Sequence, residues 1–273
     1  MIRRKIPSSG QELPVIGLGT WKTFDTAAAS AKQLLAEVIG TMKQAGATLI
    51  DTSPMYGNAE LVVGELTAGP ALHDHFFYAT KVWIDGRSAG IRQMRDSLKR
   101  LRRDKIDLMQ IHNLKDWKTH LNTLNTWKAE GLICYTGITH HADSMHPELE
   151  RIITTEKVDF LQFNYSVFSR NAEKRLLKVA ADRGVATIIN RPFGEGAAFK
   201  KVKNMELPPW SRDLGIDSWS QFFLLYIVSN PAVTAVIPAT GNPLHVLENL
   251  RVVESDLPDE HLRMKMAAWA DNI

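Results

Sequence analysis

Asp51, Tyr56, Lys81 and His112 are the residues whose types and settings invite chemistry. Asp51 and Tyr56 share one turn, Leu49-Ile50-Asp51-Thr52-Ser53-Pro54-Met55-Tyr56-Gly57-Asn58, in which a short apolar run stops at an acid. A carboxylate in such a place is rarely buried without a cation. Lys81 lies inside Phe76-Phe77-Tyr78-Ala79-Thr80-Lys81-Val82-Trp83, and a lysine in so apolar a run loses its charge unless an anion holds it. Each residue therefore answers the other's need. A phenol beside that ammonium has its phenolate stabilised, which predicts a Tyr56 pKa below the usual value of roughly 10. A tuned proton donor, a cation and an orienting imidazole from His112 are the parts needed to protonate a developing alkoxide. The plainer reading of the same residues is a structural Asp51–Lys81 ion pair with His112 as a satisfied histidine at a strand end.

These side chains need elements that deliver them to one place, and the chain supplies a repeating sentence. Ile2–Ile6 and Glu12–Val15 flank Ser8-Ser9-Gly10 and read as a small hairpin. From Pro14 onward, eight strand-then-helix units follow. The strands are expected at Pro14–Trp21, Thr48–Thr52, Phe76–Trp83, Ile106–His112, Cys134–Thr139, Val158–Tyr165, Val185–Asn190 and Val233–Ile237. The helices between and after them are expected at Ala27–Gln44, with Asp25 as N-cap, Ala59–Thr67, Ser88–Arg102, Trp117–Glu130, Pro147–Glu156, Ala172–Arg183, Asp217–Ser229 and Pro243–Val253. Arg191 to Leu214 reads as a long loop, and Pro258–Ala270 as a final helix. The strands are nearly continuous Val/Ile/Leu/Phe runs, as in parallel sheets buried on both faces. The pattern predicts a (β/α)₈ TIM barrel with an N-terminal β-hairpin and a C-terminal extra helix, residues 1–273 forming one domain. In such a barrel function collects where the strands end, and Asp51, Lys81, His112, Thr139, Gln162 and Asn190 all stand at or near those ends.

Composition narrows the classes. The chain has 273 residues, 44% apolar and 23% charged, with a net charge of +3 that does not suggest nucleic acid. Its basic run Arg92, Arg95, Lys99, Arg102, Arg103 lacks interleaved aromatics and reads as an exposed helix face. Lys200, Lys201 and Lys203 lie in the long loop and read as a solvated charge run, the alternative being a loop that closes over a pyrophosphate, as such barrels allow. A single cysteine, Cys134, excludes an intramolecular disulfide and reads as a small core residue in a reducing compartment. No apolar run approaches a membrane span, and Arg3-Arg4 is not followed by a signal-length apolar stretch, so a cytoplasmic location is expected. A metal site on His140-His141, His112 and Asp51 would need a His-x-His pair at a first strand and would leave Tyr56 and Lys81 without work; none is expected.

The chain resembles the aldo-keto reductases. Gly17-Leu18-Gly19-Thr20-Trp21, Asp51-Thr52-Ser53-Pro54-Met55-Tyr56-Gly57, Thr80-Lys81-Val82-Trp83, Ile111-His112-Asn113, Gln162-Phe163-Asn164-Tyr165-Ser166 and Ile237-Pro238-Ala239-Thr240 fall in that family's order over nearly the whole length. The resemblance implies that Asp51, Tyr56, Lys81 and His112 form the catalytic tetrad. Tyr56 would protonate the carbonyl oxygen as hydride arrives from nicotinamide, Lys81 held by Asp51 would tune it, and neutral His112 would orient the carbonyl. Trp21 and Trp83 would line the substrate pocket. The implied function is NAD(P)H-dependent reduction of small aldehydes or ketones by a monomer without nucleic-acid or membrane partners. The short tail after Leu257 suggests an open, permissive site. The alternative is a cofactor-binding regulatory or interaction protein on the same barrel with little turnover.

For the cofactor, the resemblance implies NADP(H) in preference to NAD(H). The implied contacts are Gly19, Thr20 and Trp21; Thr139, His140 and Gln162 at the nicotinamide amide; Asn190, Pro192, Phe193 and Gly194 after the seventh barrel strand; and Ala239, Thr240, Gly241, His245, Glu248 and Asn249 at the adenine end. The pattern departs from the family at three places. His140 stands where an Asn usually follows Ser, Asn190 where a stacking Tyr is common, with Phe193 displaced along the loop, and Gly241 and His245 where NADPH-preferring relatives carry Arg or Lys.

Overall fold

A computed structural model describes residues 2–252 and 257–273. Its strands are β1 (Arg3–Lys5) and β2 (Glu12–Pro14), then β3 (Leu18–Gly19), β4 (Leu49–Asp51), β5 (Phe77–Val82), β6 (Ile106–His112), β7 (Ile133–Thr139), β8 (Phe160–Asn164), β9 (Ala186–Asn190) and β10 (Ala235–Val236). The helices between them are α1 (Ala29–Gln44), α2 (Ala59–Leu66), α3 (Pro70–His73), α4 (Arg87–Leu101), α5 (Trp117–Ala129), α6 (His146–Thr155), α7 (Leu176–Asp182), α8 (Ala197–Lys201) and α9 (Trp219–Val228), with α10 (Pro243–Arg251) and α11 (Glu260–Asp271) after the last strand. The pair β1–β2 is antiparallel, and β3 to β10 pair in chain order as an eight-stranded parallel sheet. Parallel bridges Ile16↔Val236 and Gly19↔Ala239 join its two edges, so the sheet closes into the (β/α)₈ barrel.

Residues alternate across each strand, and the two sets bury against different things. Ile50, Tyr78, Val82, Met109, Ile111, Ile138, Leu161, Phe163 and Ile189 face the helices in the larger core. Leu49, Phe77, Ala79, Leu108, Tyr135, Phe160, Ala186, Ile188, Ala235 and Ile237 fill the barrel interior as a second core, joined by Ile6 and Leu13 of the hairpin. The hairpin thus stoppers the amino-terminal end. Two polar anchors hold it there. The Tyr135 hydroxyl meets Ser9 Oγ and Gln11 Oε1, each at 2.7 Å, and Arg4 donates to the carbonyls of Asn230 at 2.8 Å and Val228 at 2.5 Å, and to that of Val233. Those carbonyls lie at and beyond the end of α9, where acceptors lack intrahelical partners.

Four local readings differ from the sequence expectation. Asp25 does not cap α1, whose preceding residue Ala28 offers no side-chain cap. It accepts instead from the Asn58 amide at 2.9 Å and from Asn58 Nδ2 at 3.2 Å. Gly57, at φ 58°, turns its backbone so closely against Asp25 that a β-carbon would collide with the carboxylate. The expected helix Ala172–Arg183 is broken at Arg175 (φ −151°) into a 3₁₀ turn and α7. The long loop after β9 contains α8 and two 3₁₀ turns. The short helix α3, begun by Pro70, was not expected. The predicted helix end at Val253 lies outside the described residues.

Candidate active site

One step beyond the interior apolar residues, each strand changes character. Asp51 follows Leu49 on the inward-facing row of β4, Lys81 follows Ala79 on β5, and Gln110 and His112 follow Leu108 on β6. Thr139, Gln162 and Asn190 complete the ring on β7, β8 and β9. The parallel register aligns Lys81 with Gln110, His112 with Thr139, and Thr139 with Gln162. Alternation and register together put every polar side chain of this layer at the carboxyl end of the barrel.

The centre of the layer is an ion pair. Lys81, with no exposed surface, donates to Asp51 Oδ1 at 2.6 Å and to the Thr52 carbonyl at 2.7 Å, while Asp51 is 2% exposed. The other carboxylate oxygen of Asp51, Oδ2, accepts from Gln110 Nε2 at 3.0 Å and from Gln162 Nε2 at 2.9 Å. Burial presses the Lys81 ammonium toward neutrality, but Asp51 and then Tyr56 outweigh it, leaving its pKa above that of an ordinary lysine. The ammonium stands 5.1 Å from the Tyr56 ring centroid.

Tyr56 corrects one expectation. Its pKa lies above the ordinary tyrosine value, because burial raises it by more than the adjacent Lys81 charge lowers it. The cation acts in the expected direction and loses to desolvation. At neutral pH the residue is a protonated phenol. His112 packs edge-on against it, ring centroids 5.8 Å apart. Burial, then Lys81, His141 and His140, push His112 down to about 3, so the imidazole is neutral. Its Nδ1 lies 3.1 Å from Ser53 Oγ, which accepts from the Met55 amide at 3.2 Å. The Ser53 hydroxyl can donate to Nδ1, the tautomer that carries the ring proton on Nε2.

Above this floor opens a cleft of about 520 Å³, with Asp51, Tyr56 and His112 in its wall and Lys81 sealed beneath. Trp21 and Trp83 line it, 36% and 37% exposed respectively, as do Gly19, Thr20, Thr139 and Gln162. Asn190, Pro192, Phe193 and Ala239 line it as well. Gly19 lies flush against the end of β10, where a β-carbon would come 2.9 Å from the Ile237 carbonyl. Two buried polar atoms of cleft-lining residues, Thr23 Oγ1 and Asn190 Oδ1, have no partner among the described residues.

Several residues expected at the cofactor stand outside the cleft wall. His140 is not in the cleft wall. Its Nδ1 accepts from the amides of His141 at 3.0 Å and Ala142 at 3.2 Å, and its ring stacks on His141. His141 takes the wall position, held by Asn113 Oδ1 at 3.1 Å. Gly194 is absent from the wall, and Phe193 packs on Phe199, 4.9 Å between centroids, rather than standing at Asn190. Thr240 and Gly241, just before α10, and His245, Glu248 and Asn249 within it, lie outside the cleft. There Asn242 already caps the helix through the Leu244 amide, and Glu248 accepts from Ser220 Oγ at 2.7 Å. Among the described residues, no group of three or more His, Cys, Asp or Glu side chains is placed to hold a metal ion.

Sequence reasoning passed over Gln110, Lys22 and Glu195, and gave Ser53 and Arg191 no role. Gln110 left a usable signal. It stands between the apolar residues Met109 and Ile111 and shares its inward row with His112. Ser53 was visible in the turn but had no assigned partner. Lys22, Arg191 and Glu195 meet only through loop geometry, with Arg191–Glu195 at 2.8 Å and Lys22–Glu195 at 3.9 Å.

Comparison with known proteins identifies the family and the fold. The aldo/keto reductase family profile matches residues 15–269. The methylglyoxal reductase YeaE of Escherichia coli (strain K12) is 28% identical over 98% of this chain and 96% of its own length. The methylglyoxal reductase DkgA of Yersinia pestis is 26% identical over 93% of this chain and 88% of its own. A crystal structure of an aldo-keto reductase from Klebsiella pneumoniae in complex with NADPH superposes with a TM-score of 0.81 at 22% identity, covering 99% of this chain and 96% of that one.

Proposed function

The chain belongs to the aldo/keto reductase family, and from that membership we propose that it reduces the carbonyl group of small aldehydes or ketones, with NADP(H) as the hydride source. The observation that carries this reading is a protonated phenol, Tyr56, at a cleft wall with a buried cation behind it and a neutral imidazole beside it. A substrate oxygen that turns into an alkoxide becomes a stronger base than phenolate, so the Tyr56 proton moves to it downhill even from a raised pKa. Lys81 then stabilises the phenolate left behind, and Asp51 keeps Lys81 charged with no water to help. His112, in the tautomer with Ser53 donating to its Nδ1, donates from Nε2 to the same carbonyl oxygen and fixes its orientation. Trp21 and Trp83 give the open side of the cleft an apolar wall for the rest of the substrate.

The residues present fit a nicotinamide dinucleotide. The unpartnered Asn190 Oδ1 and Thr23 Oγ1 offer polar contacts to a ligand. Thr139 and Gln162 retain one free lone pair or N–H each for a carboxamide. When bound, the cofactor supplies the hydride. Support for NADP(H) over NAD(H) comes from the NADPH complex of the Klebsiella pneumoniae relative.

Because two relatives are methylglyoxal reductases, methylglyoxal is the first substrate to try, followed by a panel of aliphatic and aromatic aldehydes. Cofactor oxidation dependent on the aldehyde is expected. Tyr56→Phe should bind NADPH as the unaltered protein does while its turnover drops by at least about a hundredfold. Tight NADPH binding with no turnover on any carbonyl would instead favour a cofactor-binding regulatory or interaction role.

A further inference from the structure

Gln110 stands directly across the sheet from Lys81, wholly buried, and is not part of the cleft wall. Its amide holds the second oxygen of the Asp51 carboxylate while Lys81 holds the first. A carboxylate only accepts, so Nε2 must face Asp51, and Oε1 must point away. That oxygen is buried without a partner among the described residues, a penalty of about 1–3 kcal/mol that a leucine or methionine would avoid. Room for the side chain is also provided for. Gly137 sits opposite on β7, and a β-carbon there would come 2.9 Å from Gln110 Cγ.

An orphaned acceptor tolerated in the barrel interior calls for a compensating role. We propose that Gln110 is a positioning residue of the reduction, fixing the Asp51 carboxylate so that its Oδ1 keeps Lys81 aimed at Tyr56. This rests on the reductase reading above. Gln162 makes the same kind of bond to Oδ2, but it lines the cleft, where a ligand competes for its amide. Gln110 is sealed off, so its hold persists whatever occupies the cleft. With both oxygens held, the carboxylate cannot rotate about its Cβ–Cγ bond without breaking charge-assisted hydrogen bonds.

The test compares the full chain with Gln110→Met and Gln110→Glu, and with Tyr56→Phe as the inactive control, using NADPH and methylglyoxal. Gln110→Met is expected to fold with an equal or higher thermal midpoint and to bind NADPH normally. Its KM should stay within about twofold while kcat falls about tenfold or more, with the alkaline limb of kcat moved to lower pH as Lys81 loses its fixed anion. In Gln110→Glu, kcat should be low at neutral pH and recover on acidification, when the protonated acid can again donate to Asp51. Unchanged kcat and pH profile in Gln110→Met, or a Gln110→Glu rate that tracks the unaltered enzyme at every pH, would overturn the inference. NMR of [15N]lysine-labelled protein reads the same point without turnover: the Lys81 titration should move to lower pH in Gln110→Met, and an unmoved titration counts against it. An unaltered chain that turns over no carbonyl fails the reductase reading, whereas an active chain indifferent to Gln110 fails only this inference.

Discussion

The floor of the cleft and the strap at its mouth are built on opposite principles. Below, Asp51, Lys81, Gln110 and Gln162 are at most 2% exposed, sit on regular strands, and hold each other through short hydrogen bonds. Above, Lys22, Arg191 and Glu195 meet through side chains 35% exposed or more, on backbone that is left-handed at all three, with φ of 63°, 50° and 57°. Gly194 and Gly196 continue the left-handed run at 55° and 90°. Non-glycine residues pay about 1 kcal/mol or more for such angles, and surface ion pairs return little of it. The floor therefore keeps one geometry through burial and strand register. The strap is held by weak forces against local strain, which suits a part that yields when ligands enter and leave.

Removing a cation from each region gives the largest contrast. Lys81→Met leaves a carboxylate buried and unpaired, which is expected to cost about 3–5 kcal/mol in a denaturant titration and to abolish measurable turnover. Lys22→Met should change stability by less than about 1 kcal/mol. Comparable losses in the two variants would erase the distinction between floor and strap.

The same divide decides what could be read from the sequence. Asp51, Lys81 and His112 are legible because each is a polar residue in an apolar strand, and strand alternation then dictates where it points. Gln110 obeys the same rule and was recoverable by following the inward row of Ile106–His112. Tyr56 was legible in position but not in the direction of its pKa, since the extent of burial is a property of the closed barrel. Asp25 was misread because an acid before a helix suits a cap, while its true partner, Asn58, comes from the next unit. The strap was illegible in a deeper sense: nothing in Arg191 or Glu195 announces a left-handed backbone, and only the adjacent glycines hint at it.

Acid sharpens the comparison at intermediate size. His112 is held at about 3 against an ordinary 6.5, so between those values the unfolded chain binds a proton that the folded chain refuses. Stability from this residue is complete above pH 6.5 and is lost as the pH falls, at up to about 1.4 kcal/mol per pH unit. His140 and His141 at the rim are also pushed down, by burial first and then by neighbouring positive groups. Thermal midpoints measured between neutral pH and about pH 4 should fall steeply for the unaltered chain and more gently for His112→Asn. Paired replacement of His140 and His141 by Asn should leave more of the slope in place. A steeper dependence on the rim pair would mean that the imidazole beside Tyr56 is better solvated than its burial implies.

Glu195→Gln tests the strap alone and should have the smallest effect. One substitution removes both ion pairs, with Arg191 and with Lys22, while keeping the side-chain shape. The partners are exposed enough for solvent to screen them, so the denaturation midpoint should move by no more than about 0.5 kcal/mol. The left-handed backbone at Arg191 and Glu195, which line the cleft, is then less restrained, and a dinucleotide bound there is expected to be held less firmly. The dissociation constant for NADPH, followed by fluorescence, should rise about threefold in dilute buffer, and the difference from the unaltered chain should vanish in about 1 M salt, where surface pairs are screened in both. If Glu195→Gln instead unfolds as readily as Lys81→Met, the strap is a structural member rather than a yielding one. If affinity is unchanged at every ionic strength, Arg191 and Glu195 hold their angles for reasons inside the loop, and Lys22 merely rests against them.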